Sequence, residues 1–297
     1  MESLKFEQDT TRWYYQHSIC PYSENQPLPI NKNTPSLVIP RMALSELNAN
    51  GAGKLNALME KHSFIILTNI GKCAFQYEKL VKELTTFFTK CPETERKEYA
   101  SRSVYKNEMG TPMWYRGYEK TDVRGAFRVH AGQPHLQKWP TEAFEKTWMT
   151  LLNSLQKICD QSLKCTLPGQ NTVTAAMRNK YCNEDDFSVC YALFYPNTAG
   201  SGQSEEENVY EHVDPSLYVV EPVCSVPGLE VLDQATKQWI SVEECCESGK
   251  EIVLFCGKAL ERATEGRIKG TWHRVRRHPQ ERICFLYEQK YQEFFEE

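Results

Sequence analysis

The sequence predicts a mainly β fold with α-helices, in which a jelly-roll core is flanked by helices from the first part of the chain. Two amphipathic helical patterns lie before residue 186, and a series of short β-prone segments follows it. About eight short strands separated by turn residues indicate an antiparallel sandwich or barrel, and an eight-stranded jelly roll is the natural candidate. We therefore expect one domain over 1–297, with a helix-rich part at 1–186 and a jelly-roll part at 187–297.

Apolar residues of the first part recur at three- and four-residue steps, as in helices that bury one face. One such pattern covers 77–88 and the other covers 144–158. Thr141 is a suitable N-cap for the second helix, and Pro92 is expected to end the first helix and to open another short one. Before the first pattern, the apolar run 63–68 (SFIILT) indicates a strand.

The second part contains the β-prone segments, most of them bounded by turn residues. Two polar segments, 200–208 and 261–270, are expected to form exposed loops. The predicted strands are 187–195, 210–214, 217–221, 228–232, 238–242, 251–256, 271–275 and 282–287.

Composition and charge exclude several classes of protein. Lys and Arg total 35 against 39 Asp and Glu, which gives a net charge of -4 and no broad basic surface for nucleic acid. There is no apolar run of the ~20 residues that a membrane helix needs and no signal-peptide pattern, so we expect a cytoplasmic protein without an obligate protein partner. The 12 cysteines contain no C-x-x-C pair, and we expect reduced core thiols rather than a zinc or disulfide framework.

A candidate metal site begins at His212 and Asp214. Residues two apart in a strand share a face, with Cα atoms roughly 6–7 Å apart, so both side chains can reach one cation. This pair alone is weak, since a solvated strand can carry the same residues. His273, in another β-prone segment, is the candidate third ligand. Two imidazoles and one carboxylate form the facial triad typical of non-haem Fe(II) oxygenases, whereas structural zinc sites usually add a fourth protein ligand.

A candidate anion site follows on the last predicted strand. Alternation places Arg282, Cys284, Leu286 and Glu288 on one face of that strand. A fixed guanidinium facing a metal cavity would bind a carboxylate through two hydrogen bonds, as a dicarboxylate cosubstrate requires. The alternative is an arginine on an exposed strand face, which is the interpretation we adopt for Arg276 and Arg277.

Seven short segments together resemble the Fe(II)- and 2-oxoglutarate-dependent oxygenases, in particular the branch that contains isopenicillin N synthase and the plant flavonoid and hormone oxygenases. They are 35–45 (PSLVIPRMALS), 63–71 (SFIILTNIG), 84–88 (LTTFF) with 92–96 (PETER), 191–196 (YALFYP), 212–214 (HVD), 272–275 (WHRV) and 282–284 (RIC). The resemblance implies a double-stranded β-helix core and a requirement for Fe(II), 2-oxoglutarate and O2. It also implies that the iron ligands are His212, Asp214 and His273.

The resemblance further implies a site for the cosubstrate. Arg282 matches the arginine that pairs with the distal carboxylate of 2-oxoglutarate, and Tyr195 matches the tyrosine that hydrogen-bonds the same group. Two positions depart from the family pattern. Cys284 replaces the usual Ser or Thr and is a weaker donor, and Leu193 replaces an Asn. The implied reaction releases succinate and CO2 while a substrate C–H bond is hydroxylated, or the substrate is cyclised or desaturated.

Substrate contacts are predicted on two walls of the cavity. Glu288 on the last strand would suit an amine, although it could instead pair with a nearby Lys or Arg. Tyr191 shares a strand face with Tyr195 and is a second wall candidate. We therefore hypothesise a small, carboxylated, amine-bearing substrate, such as an amino-acid derivative of a natural-product pathway. The basic residues of the lid side, any of which could instead be solvated, are Arg116, Arg124, Arg128 and His130.

Two other classes of function remain open on the sequence. A related iron oxidase would bind its substrate directly to the metal, use Arg282 for that substrate, and consume O2 without forming succinate. A non-catalytic metal-binding jelly roll would hold zinc without turnover.

Overall fold

The computed structural model describes residues 39–100, 105–106, 112–113, 116–168, 186–197 and 207–291. Within these ranges the strands form an eight-stranded sheet of order β1-β2-β12-β9-β14-β7-β6-β5, a four-stranded sheet of order β11-β10-β13-β8, and a ribbon of β3 and β4. The strands are β1 Arg41–Ala43, β2 Phe64–Thr68, β3 Tyr105–Lys106, β4 Pro112–Met113, β5 Gly117–Lys120, β6 Gly125–His130, β7 Val189–Tyr195, β8 Glu207–His212, β9 Tyr218–Pro222, β10 Leu229–Asp233, β11 Gln238–Ser241, β12 Ile252–Cys256, β13 His273–Arg276 and β14 Arg282–Glu288.

The three long helices pack on the outer face of the eight-stranded sheet. The predicted patterns correspond to α2 (Lys72–Thr89) and α4 (Glu142–Thr166), and the Thr141 hydroxyl accepts a hydrogen bond from the Phe144 N–H at 3.0 Å and so caps α4. The Trp148 ring of α4 meets the Phe285 ring of β14 edge-on, with centroids 4.8 Å apart. The helices are α1 Ala52–His62, α2 Lys72–Thr89, α3 Glu93–Arg96, α4 Glu142–Thr166, α5 Val242–Cys245 and α6 Lys258–Ala263, with 3-10 turns at Leu44–Glu46, Ala49–Gly51, Lys97–Tyr99 and Pro134–Leu136.

The core has two layers because successive strand residues point to opposite faces. On β14, Phe285 and Tyr287 pack with the helices. Cys284 lies on the other face, in a cluster with Val275 of the four-stranded sheet. The facing sheets and the flanking helices confirm the predicted double-stranded β-helix core. None of the helices that the structure describes is long and apolar enough to span a membrane.

All eight strands predicted in the second part are present, with shifted ends. The predicted strand 210–214 ends at His212, so Asp214 lies beyond it, before Pro215. The predicted exposed loop 261–270 is wrong over much of its length, because it includes the end of α6 and the fully buried Ile268. Positions 200–206 of the other predicted loop, like 35–38 of the first resemblance segment, lie outside the described residues.

The first part of the chain contributes more β structure than its helical patterns indicate. Four of its strands, β1, β2, β5 and β6, join the eight-stranded sheet, so strands from both sides of residue 186 share one sheet. The segment 125–130, expected on the lid side, is the buried strand β6. The prediction of one domain over 1–297 stays a prediction.

Candidate active site

The two histidines of the predicted triad are cross-strand neighbours. His273 begins β13 and pairs in register with His212 at the end of β8, and an irregularity in the ladder follows His273. Side chains of directly opposed residues lie on the same face of an antiparallel sheet. The two imidazole rings are therefore adjacent, with centroids 4.1 Å apart.

Asp214 is positioned by the turn that follows β8 rather than by a strand. Its carbonyl oxygen accepts a hydrogen bond from the Lys258 N–H at 2.8 Å, so the start of α6 fixes this turn. The contact requires Gly257, because a Cβ at that position would lie 2.1 Å from the Ser216 carbonyl oxygen. The predicted convergence of His212 and Asp214 is therefore reached, although through a turn.

The three side chains present their ligand atoms to one point. Asp214 Oδ1 lies 3.3 Å from His212 Nε2, and Asp214 Oδ2 lies 3.4 Å from His273 Nε2. The Nδ1 atom of His212 lies 2.8 Å from the Tyr210 carbonyl oxygen, and that of His273 lies 3.1 Å from the Thr271 carbonyl oxygen. A carbonyl oxygen only accepts, so both Nδ1 atoms carry the proton, and the Nε2 atoms are the ones available for a metal.

The electrostatics of these residues fit a bound cation. Burial and, to a lesser extent, the neighbouring His212 lower the pKa of His273 to about 4, against the opposing effect of Asp214. Burial alone would raise the pKa of Asp214, but His273 and His212 together hold it well below its usual value. At neutral pH the Nε2 lone pair of His273 therefore faces an ionised carboxylate. A divalent metal ion between them would satisfy both groups.

Arg282 lies on the inner face of the eight-stranded sheet and is 1% exposed. It pairs in register with Tyr195, and its guanidinium lies 5.8 Å from the centre of that ring. Tyr195 and Cys284 pack against Val275, two residues beyond His273. The guanidinium therefore shares the inter-sheet space with the strand that carries His273.

The Arg282 guanidinium already has two protein partners. Its Nη2 atom donates to Glu221 Oε1 at 3.0 Å and to Glu243 Oε1 at 2.7 Å. Its Nη1 and Nε atoms are buried and have no hydrogen-bond partner among the residues that the structure describes. The buried Nη1 atom fits a further anion. Neither glutamate is predicted as a site residue by the sequence, because each is separated from Arg282 by tens of positions without a motif.

The predicted amine-binding residue Glu288 has a protein partner. The Lys290 ammonium lies 2.5 Å from Glu288 Oε2, which is the alternative that the sequence left open. Arg276 and Arg277 are half-buried rather than exposed, and Arg276 forms ion pairs with Glu207 at 3.1 Å and with Glu230 at 3.4 Å. The exposed-face interpretation of these two arginines is therefore wrong.

The predicted basic residues form part of a buried wall. Arg128 of β6 pairs in register with Tyr191 and lies 5.1 Å from the centre of its ring, and it forms an ion pair with Glu119 at 3.1 Å. Arg116 donates a hydrogen bond to the Gln133 side chain and is also buried. We define the basic wall as Arg116, Arg128, His130 and Lys290.

The members of the basic wall lie close enough to affect one another. Burial, together with the smaller effects of Arg116, Arg128 and Lys290, lowers the pKa of His130 to about 3. His130 is therefore neutral at physiological pH, and the cations of the wall are the two arginines and the lysine. Arg124 is half-buried just before β6 and lies near Tyr195 instead.

Comparisons with known proteins agree with this geometry. Residues 174–288 match the model of the 2OG-Fe(II) oxygenase superfamily, and the matched region contains the triad and Arg282. No curated protein matches this chain significantly. The protein is thus a non-haem iron dioxygenase that uses Fe(II), 2-oxoglutarate and O2. Membership of the isopenicillin N synthase-like branch stays a prediction.

Solved structures show the same fold at low sequence identity. The dioxygenase for auxin oxidation from rice has 15% identity and a TM-score of 0.67, covering 85% of this chain and 83% of its own. A full-length protein of Neurospora crassa, solved in complex with alpha-KG, has 19% identity and a TM-score of 0.63, covering 87% and 86%. The 2-oxoglutarate complex of the Arabidopsis thaliana dioxygenase for auxin oxidation 1 has 14% identity and a TM-score of 0.64, covering 86% and 93%.

Proposed function

We propose that this protein oxidises a C–H bond of a small carboxylated molecule, with Fe(II) held by His212, Asp214 and His273. The observation that carries the proposal is the convergence of two imidazole Nε2 atoms and one carboxylate within 4.8 Å. Three ligands on one side leave about three positions of an octahedral ion for the cosubstrate and O2. The bound iron, 2-oxoglutarate and O2 supply the oxidising power, and 2-oxoglutarate leaves as succinate and CO2.

The protein residues hold the ligand set in place and keep the site dry. The carbonyl oxygens of Tyr210 and Thr271 fix the tautomer and the orientation of the two imidazoles. The Phe255 ring packs against His273, with centroids 4.8 Å apart, and belongs to the apolar cluster between the sheets. Water is thereby excluded from one side of His273, which strengthens the electrostatic interactions there.

The cosubstrate is proposed to bind through its distal carboxylate to Arg282. The buried Nη1 atom of this residue lacks a partner within the described part of the chain, and Tyr195 and Cys284 lie beside it on the inner face. A carboxylate at Nη1 would gain a charge-assisted hydrogen bond in a site shielded from water. The Cys284 thiol would add only a weak donor.

The basic wall is proposed to receive a substrate carboxylate. Arg116, Arg128 and Lys290 supply three positive charges to this wall, and the described ion pairs there join Arg128 to Glu119 and Lys290 to Glu288. Cations grouped in this way favour an anionic ligand. An amine of the substrate would have to share Glu288 with Lys290. The reaction type, hydroxylation against cyclisation or desaturation, depends on how this wall places the substrate.

Anaerobic reconstitution with Fe(II) and 2-oxoglutarate, followed by O2 and a mixed metabolite pool, tests the proposal. Mass spectrometry should detect succinate and a new product mass. His273→Ala should abolish both signals, whereas His135→Ala, which removes an exposed histidine, should leave both unchanged. O2 consumption without succinate would instead support an iron oxidase that binds its substrate on the metal. Tightly bound zinc without turnover would support a non-catalytic scaffold.

The proposed substrate class has its own test. Arg128→Ala and Glu288→Gln should each raise the substrate KM. The hypothesis of a carboxylated, amine-bearing substrate fails if both variants leave the KM unchanged.

A further inference from the structure

Arg282, the proposed cosubstrate arginine, contacts two buried carboxylates, although it carries only one positive charge. Arg282, Glu221 and Glu243 have side chains that are 1%, 5% and 3% exposed, so none of the three charges is screened by water. One guanidinium beside two carboxylates leaves a formal excess of one negative charge. A distal carboxylate of 2-oxoglutarate would bring a third carboxylate to the same cation, and uncompensated charge in a buried site is costly.

The two glutamates differ in how well their ionised forms are supported. Glu243 Oε2 accepts hydrogen bonds from the backbone N–H groups of Gly228 at 3.2 Å and Leu229 at 3.0 Å, in addition to the Oε1 contact with Arg282. Glu221 Oε1 receives Arg282 and only the weak Cys224 thiol donor, at 3.4 Å. Glu221 is therefore the carboxylate that accepts a proton more readily.

We propose that Glu221 takes up one proton when the distal carboxylate of 2-oxoglutarate binds to Arg282, so that this glutamate sets the affinity for the cosubstrate. The inference rests on the proposed role of Arg282. The proton comes from solvent and adds to the Glu221 carboxylate, so the total charge around the guanidinium is the same before and after binding. The only covalent bond formed is this O–H bond, and the bond that breaks is the one that held the proton in hydronium or in the buffer acid.

The surroundings of Glu221 are consistent with this role. Burial raises the pKa of Glu221, Arg282 opposes that rise and the neighbouring Glu243 adds to it. An additional anion at Arg282 would raise the pKa of Glu221 further. The other titratable and charged groups near Glu221 are Cys224 beyond β9, Cys284 of β14, Tyr77 of α2, Tyr195 of β7 and, beside Tyr195, Arg124.

The direction in which the Kd for 2-oxoglutarate changes with pH follows from the coupling between proton binding at Glu221 and cosubstrate binding. Protonated Glu221 does not repel the incoming carboxylate, so the site binds 2-oxoglutarate more tightly at acid pH. As the pH rises through the pKa of Glu221 in the free protein, the Kd for 2-oxoglutarate should rise. Glu221→Gln removes the charge in all conditions and should make the Kd independent of pH in this range.

Anaerobic calorimetric titration of the Fe(II) protein with 2-oxoglutarate tests this inference. Titrations in buffers of different ionisation enthalpy count the protons taken up. The wild type should take up a proton, whereas Glu221→Gln should take up none and should bind roughly tenfold more tightly at alkaline pH. Glu244→Gln removes an exposed carboxylate from the same short helix α5 that carries Glu243 and is the matched control, which should behave as the wild type.

A second ligand separates this inference from the proposed function. 2-Oxobutyrate has the same chelating end but no distal carboxylate, so its binding should involve no proton uptake at Glu221 and should be insensitive to Glu221→Gln. If Glu221→Gln takes up the same protons and binds 2-oxoglutarate as the wild type does, the inference is overturned. If Arg282→Lys leaves the preference for 2-oxoglutarate over 2-oxobutyrate unchanged, the proposed role of Arg282 fails instead.

Discussion

At the scale of single residues, the sequence predicts some residues of the candidate site but not the two glutamates that contact Arg282. His212, Asp214, His273 and Arg282 fall in short segments that are weak alone but together resemble one enzyme family, so the sequence predicts them. Glu221 and Glu243 are 61 and 39 positions from Arg282 and lie in segments where a solvated carboxylate would give the same pattern. Contacts at such separations depend on how strands pair, which a single sequence does not reveal.

The carboxylate of Asp214 should dominate the affinity for the metal. Asp214→Asn keeps the shape of the side chain but leaves two neutral imidazoles without an anion, so we expect Fe(II) affinity to fall by more than about 100-fold. Anaerobic calorimetric titration with Fe(II) measures this change. Glu211→Gln removes the same charge three positions earlier and should have little effect. Equal losses in both variants would indicate a general electrostatic effect rather than coordination.

Gly228 should be required for cosubstrate binding. A Cβ at this position would lie 2.9 Å from Cδ and 3.0 Å from Nε of Arg282, so Gly228→Ala should displace the guanidinium. We expect the KM for 2-oxoglutarate to rise roughly tenfold, because the distal carboxylate would lose one charge-assisted hydrogen bond. Gly53→Ala has open space around its new methyl group and should leave the KM unchanged. An unaltered KM in Gly228→Ala would contradict the proposed position of the distal carboxylate.

At the scale of secondary structure, periodicity and caps predict the long elements well and the short ones poorly. The pattern over 144–158 lies within α4, and the strands of the second part are recovered because turn residues bound them. Strand β1 has only three residues, and the sequence of β5 (GYEK) is typical of a polar turn. Both form because a neighbouring strand offers hydrogen bonds, which is tertiary information.

The Thr141 cap of α4 gives a prediction at this scale. Thr141→Ala removes the acceptor of the Phe144 N–H and should lower the free energy of unfolding by about 1 kcal/mol. Thr150→Ala lies on an exposed face of the same helix, where its hydroxyl bonds back to the Lys146 carbonyl, and alanine there should be neutral or slightly stabilising. Urea unfolding followed by circular dichroism compares the two variants. Similar destabilisation by both would argue against a specific capping effect.

At the scale of the whole molecule, the proposed metal site joins segments that are distant in the chain. Its three residues come from β8, the turn that follows it, and β13, so an unfolded chain offers no preformed site. Binding to the folded state alone should therefore raise stability, by about 2.7 kcal/mol when free Fe(II) is at 100 times its Kd.

Thermal melting under anaerobic conditions measures this effect. The wild type with Fe(II) should melt at a higher temperature than the chelator-treated protein. His273→Ala should show no difference between the two conditions. A metal-dependent rise that persists in His273→Ala would place the stabilising ion elsewhere.

The residues of the site are divided between the two sheets. The proposed iron ligands belong to β8, β13 and the adjoining turn, whereas Arg282 and the arginine of β6 in the basic wall lie on the opposite, eight-stranded sheet. On the proposed assignment, residues that contact the substrate could change without disturbing those that hold the metal. Substitutions on β6 and β7 should therefore allow new substrates to bind while the proposed iron site is unchanged. The distance between the two sheets would then determine how far each new substrate lies from the metal.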